Sequence, residues 1–348
     1  MKLTYKVGLL GALFAGVLST GLNAQESEGG AARAEFSKVG AGTGSFLNLP
    51  VGARAAGMGA SFVAIADDAS ALYWNPAGIT LAEGTSATYT FAPMFAGMSH
   101  HFAGVSFPLS TDWRAGIHAL SYGSDAIEVT TLFAQEGTGA TYTAQDMSLG
   151  LSIGGQLTEQ FSFGATGKFI SLKLADVSAS TVAFDFGTLY RPGILGLRIG
   201  FAVDNLAPAV KYSGTGLVRT GGIDPITGNQ NPDAQLESGE ATLPLTFRAG
   251  IATDVFEGDE EQSLLVNTEF STAADRAEYL GIGVEYTWNN LISVRGGYHF
   301  GSEEAFGPSG GIGINYETGS FTGRIDYAIR PHVNLGLTNY VTASLRLQ

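Results

Sequence analysis

The chain has 348 residues, 45% of them hydrophobic and only 14% charged, with 49 glycines and no cysteine, which excludes a disordered chain, a disulfide scaffold and a cysteine-ligated metal module. Its 18 basic and 32 acidic residues leave a formal net charge of −14, opposed to broad contact with nucleic-acid phosphates, so no nucleic-acid partner is expected. Charge this sparse with glycine this dense is unusual for a soluble enzyme and points to β structure in an apolar setting.

Residues 1–24 read as a signal peptide. Lys2 and Lys6 form a basic start, Val7 to Leu18 an apolar run, and Asn23-Ala24 precede the polar Gln25-Glu26-Ser27-Glu28, with cleavage expected after Ala24. Gly8, Gly11 and Gly16 interrupt the run, which is shorter than the ~20 residues of a membrane-spanning helix. Without a cysteine near the cut, no bacterial lipid anchor is expected. Later apolar runs are broken every few residues by glycine, serine, threonine or a charge, so a membrane would be crossed by strands.

Residues 25–84 form a separate N-terminal segment, too small in its side chains and too glycine-rich to be a wall strand. Gly57 and Gly59 would permit close backbone contact, and Asp67-Asp68 could cap a short helix carrying Ala69, Leu72 and Tyr73. Asn75-Pro76 would end that helix, because a residue before proline disfavours the α region.

From residue 85 the hydrophobic period is two. Leu280, Ile282, Val284, Tyr286 and Trp288 share one face, and after the turn Asn289-Asn290 the pattern resumes with Ile292, Val294, Tyr298 and Phe300, the signature of a hairpin. Runs of this kind predict fourteen strands, near 85–92, 100–107, 113–122, 143–154, 161–174, 179–190, 196–204, 243–254, 262–271, 278–288, 291–300, 309–317, 321–330 and 338–347. A further candidate, Ile127 to Phe133, reads as the third strand continuing through a bulge. The opposite faces carry glycine, serine and threonine with Arg248, Asp254, Glu285, Arg295, Asn315, Glu317, Arg324 and Asp326. Lipid outside and a polar lumen inside account for strands of about ten residues, aromatics near strand ends and little outer charge better than a β-sandwich does. Residues 85–348 therefore read as an all-β transmembrane antiparallel barrel. With both termini periplasmic, the even-to-odd connections are all short, whereas the opposite set includes the two longest, 123–142 and 205–242.

Val51 to Ile79 carries Gly52-Ala53-Arg54, Gly57-Met58-Gly59, Ala66-Asp67-Asp68-Ala69 and Asn75-Pro76-Ala77-Gly78. This resembles the opening signature of the PorV/PorQ family, outer-membrane barrels related to the FadL transporters. The resemblance implies a fourteen-stranded barrel whose N-terminal segment folds into the lumen as a hatch. Arg54, Gly57, Gly59, Asp67, Asp68, Asn75 and Pro76 are then candidates for contact with the wall, and Arg248, Glu285, Arg295, Glu317, Arg324 and Asp326 are candidate lumen-facing charges. The end Leu347-Gln348 departs from the aromatic assembly signal of many such barrels.

Enzymatic motifs are poor. Gly40-Ala41-Gly42-Thr43-Gly44 lacks the lysine of a phosphate loop, and His100-His101 would point to opposite faces of a strand. Asp67-Asp68 and Glu303-Glu304 are sequence neighbours rather than carboxylates held across a site. The oxygen-rich stretch from Gly221 to Asp233 lacks EF-hand spacing and reads as ordinary turns. No catalytic residue, metal or cofactor is expected. By resemblance, the partners would be outer-membrane lipid together with type IX secretion subunits or the C-terminal domains of their cargo, contacted through 123–142 and 205–242. The alternative is a FadL-like transporter binding a hydrophobic ligand between hatch and wall. Inward faces expected to be glycine-rich and charged favour the protein-binding reading.

Overall fold

The computed structural model describes residues 42–222, 230, 232–259, 261–301, 307–332 and 336–347. The signal peptide, Glu303-Glu304 and most of the oxygen-rich stretch between Gly221 and Asp233 lie outside these residues. Fourteen strands close into one antiparallel barrel: β1 Thr85–Pro93, β2 Met98–Pro108, β3 Trp113–Ser124, β4 Ala144–Gln156, β5 Phe161–Leu174, β6 Val177–Tyr190, β7 Arg198–Leu206, β8 Thr246–Asp254, β9 Gln262–Ala273, β10 Tyr279–Trp288, β11 Ile292–Gly301, β12 Pro308–Glu317, β13 Phe321–His332 and β14 Gly336–Leu347. Each pairs with its neighbours in sequence, and β14 returns to β1 with Thr85 opposite Leu347 and Phe91 opposite Val341. Closure leaves no unpaired edge, the condition for strands to lie in an apolar medium.

The period of two separates two environments. On β10 and β11, Val284, Trp288, Ile292, Val294, Tyr298 and Phe300 are exposed, while Glu285, Ser293, Arg295 and His299 are buried. The large apolar side chains thus coat the outside, and the polar ones line the lumen. This inversion of a soluble core is what a barrel in lipid requires.

The expected fifteenth run is shorter than its sequence suggests. Ile127-Glu128 pairs with Thr141-Tyr142 as a two-stranded arm. Between the pairs Gly123–Gln145 and Ile127–Tyr142 there are four steps on the leading strand and three on the returning one. The β3–β4 hairpin therefore continues past the wall through one extra residue, a bulge. A second arm joins Val218-Arg219 to Ala234-Gln235 within the other long connection.

Residues 42–84 pack against the inward faces of the wall. They form a 3₁₀ turn Ser45–Asn48, helix α1 Ala53–Gly57, helix α2 Ala71–Trp74 and a 3₁₀ turn Pro76–Leu81. Phe46, Leu47, Val51, Met58, Phe62, Ile65, Leu72, Trp74 and Ile79 form the apolar core with Phe102, Leu120, Ile170 and Leu172 of the wall. The main hydrophobic cluster is thus the seam between this segment and the barrel.

Candidate functional site: the N-terminal segment and the wall that holds it

Close approach begins with missing side chains. Gly59 has φ of +70°, and a Cβ there would lie 2.8 Å from the carbonyl oxygens of both Ile282 and Tyr298. On the wall, a Cβ at Gly187 would run into the Asn75 amide oxygen and Pro76. Gly57 lies against the backbone of Gly311. Ten glycines of the wall, Gly187 among them, stand where a Cβ would meet residues 42–84.

Two wall carboxylates then hold the segment. Glu285 of β10 accepts from the Arg54 guanidinium, with Nη2 at 2.8 Å from Oε1 and Nε at 3.0 Å from Oε2. The same carboxylate accepts from Arg295 Nε and, at 3.2 Å, from Arg324 Nη2. Asp326 pairs with both of those arginines, at 2.9 Å each. Arg54 is itself shared, since its Nη1 donates to Asp67 at 2.6 Å, and Arg198 lies 3.8 Å from the other Asp67 oxygen. Burial raises the Asp67 carboxyl, but Arg54, Arg198 and Arg324 outweigh it and hold the group below its usual range. Bidentate geometry at Glu285 fixes where α1 sits as well as that it sits.

Glu269 of β9 makes the second anchor. Its Oε2 accepts from the backbone N–H groups of Phe62 (2.7 Å) and Val63 (2.8 Å), and Asn267 two residues earlier donates to the Ser61 carbonyl at 2.6 Å. Arg248 of β8, almost fully buried, donates to Asp204 at 2.7 Å and lies 4.9 Å from the centre of the Trp74 ring and 5.4 Å from that of Tyr73. Burial pushes the Tyr73 phenol up to about 12. Its hydroxyl sits 2.9 and 2.8 Å from the carbonyls of Leu47 and Leu49, while Trp74 Nε1 donates to the Val51 carbonyl at 2.8 Å. Farther round, Lys168 pairs with Asp185 at 2.8 Å and donates to Asn205 at 2.6 Å.

The structure places the expected residues as follows. Arg54, Asp67, Glu285, Arg295, Arg324 and Asp326 form one network, while Arg248 belongs to a separate group with Asp204 and Glu269. Asp67 faces the arginines rather than capping a helix. Asp68 alone makes a turn, accepting from Ser70 N and Ser70 Oγ at 2.8 and 2.5 Å. Asn75 does end α2, in an extended conformation, and its amide oxygen caps the Pro76 turn by accepting from Ala77 N at 3.1 Å. Asn75 also donates to the carbonyls of Val63 (2.9 Å) and Thr188 (3.1 Å), tying the segment to β6. Glu317 departs from the lumen-facing expectation: it shares the inward parity of Gly313 and Asn315, but as the last residue of β12 it is exposed at the rim. The inward face also departs from expectation, because Phe102, Leu120, Ile170 and Leu172 make part of it apolar.

No protein-family model matches the chain, and no curated protein matches it in sequence. Solved structures do. The toluene transporter TbuX of Ralstonia pickettii aligns over 86% of this chain and 99% of its own, with a TM-score of 0.56 at 14% identity. The toluene transporter TodX of Pseudomonas putida aligns over 85% and 97%, with a TM-score of 0.55 at 14% identity. A FadL homologue of Pseudomonas aeruginosa aligns over 85% and 98%, with a TM-score of 0.51 at 13% identity. The fold is that of the FadL-type barrels. TbuX and TodX are toluene transporters, not enzymes, and identity this low carries fold alone.

Proposed function

We propose that the chain sits in the bacterial outer membrane and passes hydrophobic small molecules, with residues 42–84 as the hatch that closes the path. The observation that carries this is the apolar seam toward the long-loop end of the lumen, where Phe46 and Leu47 of the segment meet Leu120, Ile170 and Leu172 of the wall and Leu243 of the long connection. A hydrophobic solute entering there finds apolar surface on both sides, whereas deeper in the lumen the segment is held by ion pairs that can exchange partners. FadL-type architecture and the toluene-transporter neighbours support the reading. The test is uptake of radiolabelled toluene and of a long-chain fatty acid by cells whose lipopolysaccharide-bearing outer membrane carries the barrel, against the same cells without it. Uptake above that of the cells lacking the barrel, and its loss in Leu172→Asp, is expected; equal uptake with and without the protein would reject it.

A second reading has one specific observation in its favour. Leu132 and Phe133, beyond the arm of the first long connection, are 87% and 101% exposed, and large apolar side chains fully in water mark contact surfaces. Together with the PorV/PorQ-like signature, they support binding of type IX secretion subunits or cargo C-terminal domains through 123–142 and 205–242. Affinity capture from the native membrane with the parent and with Leu132→Ser/Phe133→Ser tests it. A secretion subunit or shared cargo domain recovered by the parent and lost by the variant is expected on this reading, and identical recoveries would remove the loop from it.

A further inference from the structure

Outside the lumen the wall is hollowed. A groove of about 940 Å³ crosses the outer face from β14 through β1, β2, β3, β4 and β5 to Val182 of β6. Its floor is made of small residues, Ala343, Ala87, Ala103, Ala119 and Gly167, and its sides are Tyr89, Val105, Ile117, Leu149, Leu151 and Phe169. These side chains belong to the outward set and follow one another across the strands, with Tyr89 opposite Ala103, Ala103 opposite Ala119, Ala119 opposite Leu149 and Leu149 opposite Phe169. Of the polar lining residues, Thr88, His118 and Lys168 alternate with them and are buried, and Ser344 alternates likewise and is half-buried.

A barrel wall is ordinarily convex, so a hollow needs a cause. Behind it, the backbone of β2 and β3 lies on the hatch: a Cβ at Gly104, itself in the groove, would lie 3.1 Å from the Ala69 carbonyl oxygen, and one at Gly116, next to Ile117, would meet Leu72. Removing side chains from the inner face lets the wall settle inward, and small residues on the outer face deepen the dent. The groove is also continuous with the apolar belt, since its flanking Tyr89, Ile117, Leu149, Leu151 and Phe169 are among the exposed outward side chains. Its volume falls in the ~300–1,000 Å³ range of small-molecule sites.

We propose that this groove holds the acyl chains of one membrane lipid, ordered against the wall and linked to the seated hatch. A chain on a convex wall makes dispersion contacts on one side, whereas a chain in the hollow makes them on its flanks as well. A lipid that fits only the hollowed wall favours the state in which the wall rests on the hatch, and by reciprocity the seated hatch favours the lipid. The inference rests on the membrane placement proposed above and not on transport, because a barrel that passes no solute would hold the lipid equally well.

The experiment compares the parent with Ala103→Phe/Ala119→Phe, which fills the floor. After detergent extraction and exchange, native mass spectrometry is expected to find about one lipid retained per parent barrel and at least about tenfold less in the variant. No retained lipid in the parent, or equal retention in both, overturns the proposal; so does a dimer of the parent that the substitutions dissociate, which would assign the groove to a second copy. Should the variant fail to fold, the parent alone decides. In vesicles containing phosphatidylcholine spin-labelled on an acyl chain, a slowly exchanging immobilised component of about one lipid per barrel is expected, and its absence overturns the proposal. A chain that stays out of the membrane fraction would overturn the placement as well, an outcome distinguishable from an inserted barrel that binds no lipid.

Discussion

Glu285→Gln tests the hatch most directly. Four arginines (54, 198, 295 and 324) share three carboxylates (67, 285 and 326), and Glu285 alone reaches three of those arginines. The amide keeps the shape but removes the charge, leaving Arg54 with Asp67, and Arg295 and Arg324 with Asp326. The Arg54 and Glu285 side chains are 10% and 6% exposed, so solvent does little to compensate. Breaking a buried pair from one side costs about 3–5 kcal/mol, and because Arg54 keeps one partner the lower end applies. About 3 kcal/mol is roughly a hundredfold in the balance between seated and displaced hatch. The chain has no cysteine, so Ser61→Cys, at a fully buried hatch position, supplies a unique thiol for maleimide labelling. In that background Glu285→Gln is expected to raise the labelling rate about a hundredfold, and Arg54→Met/Glu285→Met to recover part of the loss, since it removes one cation together with one carboxylate while Arg295 and Arg324 go on sharing Asp326. A rate within about threefold of the parent in Glu285→Gln would refute the claim that this carboxylate holds the hatch.

Gly187→Ala forces a Cβ onto Asn75, with an expected cost of about 1–3 kcal/mol and a lower melting temperature in detergent, whereas Gly296→Ala, where nothing lies within 4 Å, is expected to be neutral. Arg248→Met removes the cation paired with Asp204 and Glu269, leaving Lys168 and Arg276 as the cations acting on them, and is expected to cost about 3 kcal/mol in urea unfolding followed by tryptophan fluorescence. Asp67 has a lowered pKa, so its contribution is complete above the unfolded carboxylate value of about 3.9 and is lost as pH falls through the lower folded value. The melting difference between the parent and Asp67→Asn is therefore expected to be flat from neutral pH to about 5 and to vanish in stronger acid; a difference that already declines between pH 7 and 5 would contradict the ion-pair assignment.

Most of the wall was legible because its signal is local. A strand announces itself within ten residues, and the turn Asn289-Asn290 between Trp288 and Ile292 needs no distant information. The hatch contacts were legible only as types of residue. Arg54 meets Glu285 across 231 positions of sequence, and nothing in the spacing says which arginine meets which carboxylate. Glu269 is not among the expected charges, although the sequence carries a signal for it: it stands between Asn267 and Ser271 on the inward face, a carboxylate among small polar neighbours where no solvent-facing role explains it. Asp204 and Lys168 are likewise absent from the expected charges, although both stand in the buried alternation of their strands, after Ala202 and Thr166. Glu317 misled in the opposite sense, because parity describes a face and says nothing about where the wall ends.

The pairing of β1 with β14 has a consequence for how the molecule is made. The ring cannot shut until its last strand exists, and the segment that ends up inside is joined directly to the first strand through Ala82, Glu83 and Gly84. A plug tethered at the seam can be gathered in as an open sheet curls, with no need to be threaded through a finished ring. The position of residues 42–84 just before the first strand is therefore an assembly instruction, since it lets the lumen be filled and sealed in one closing movement.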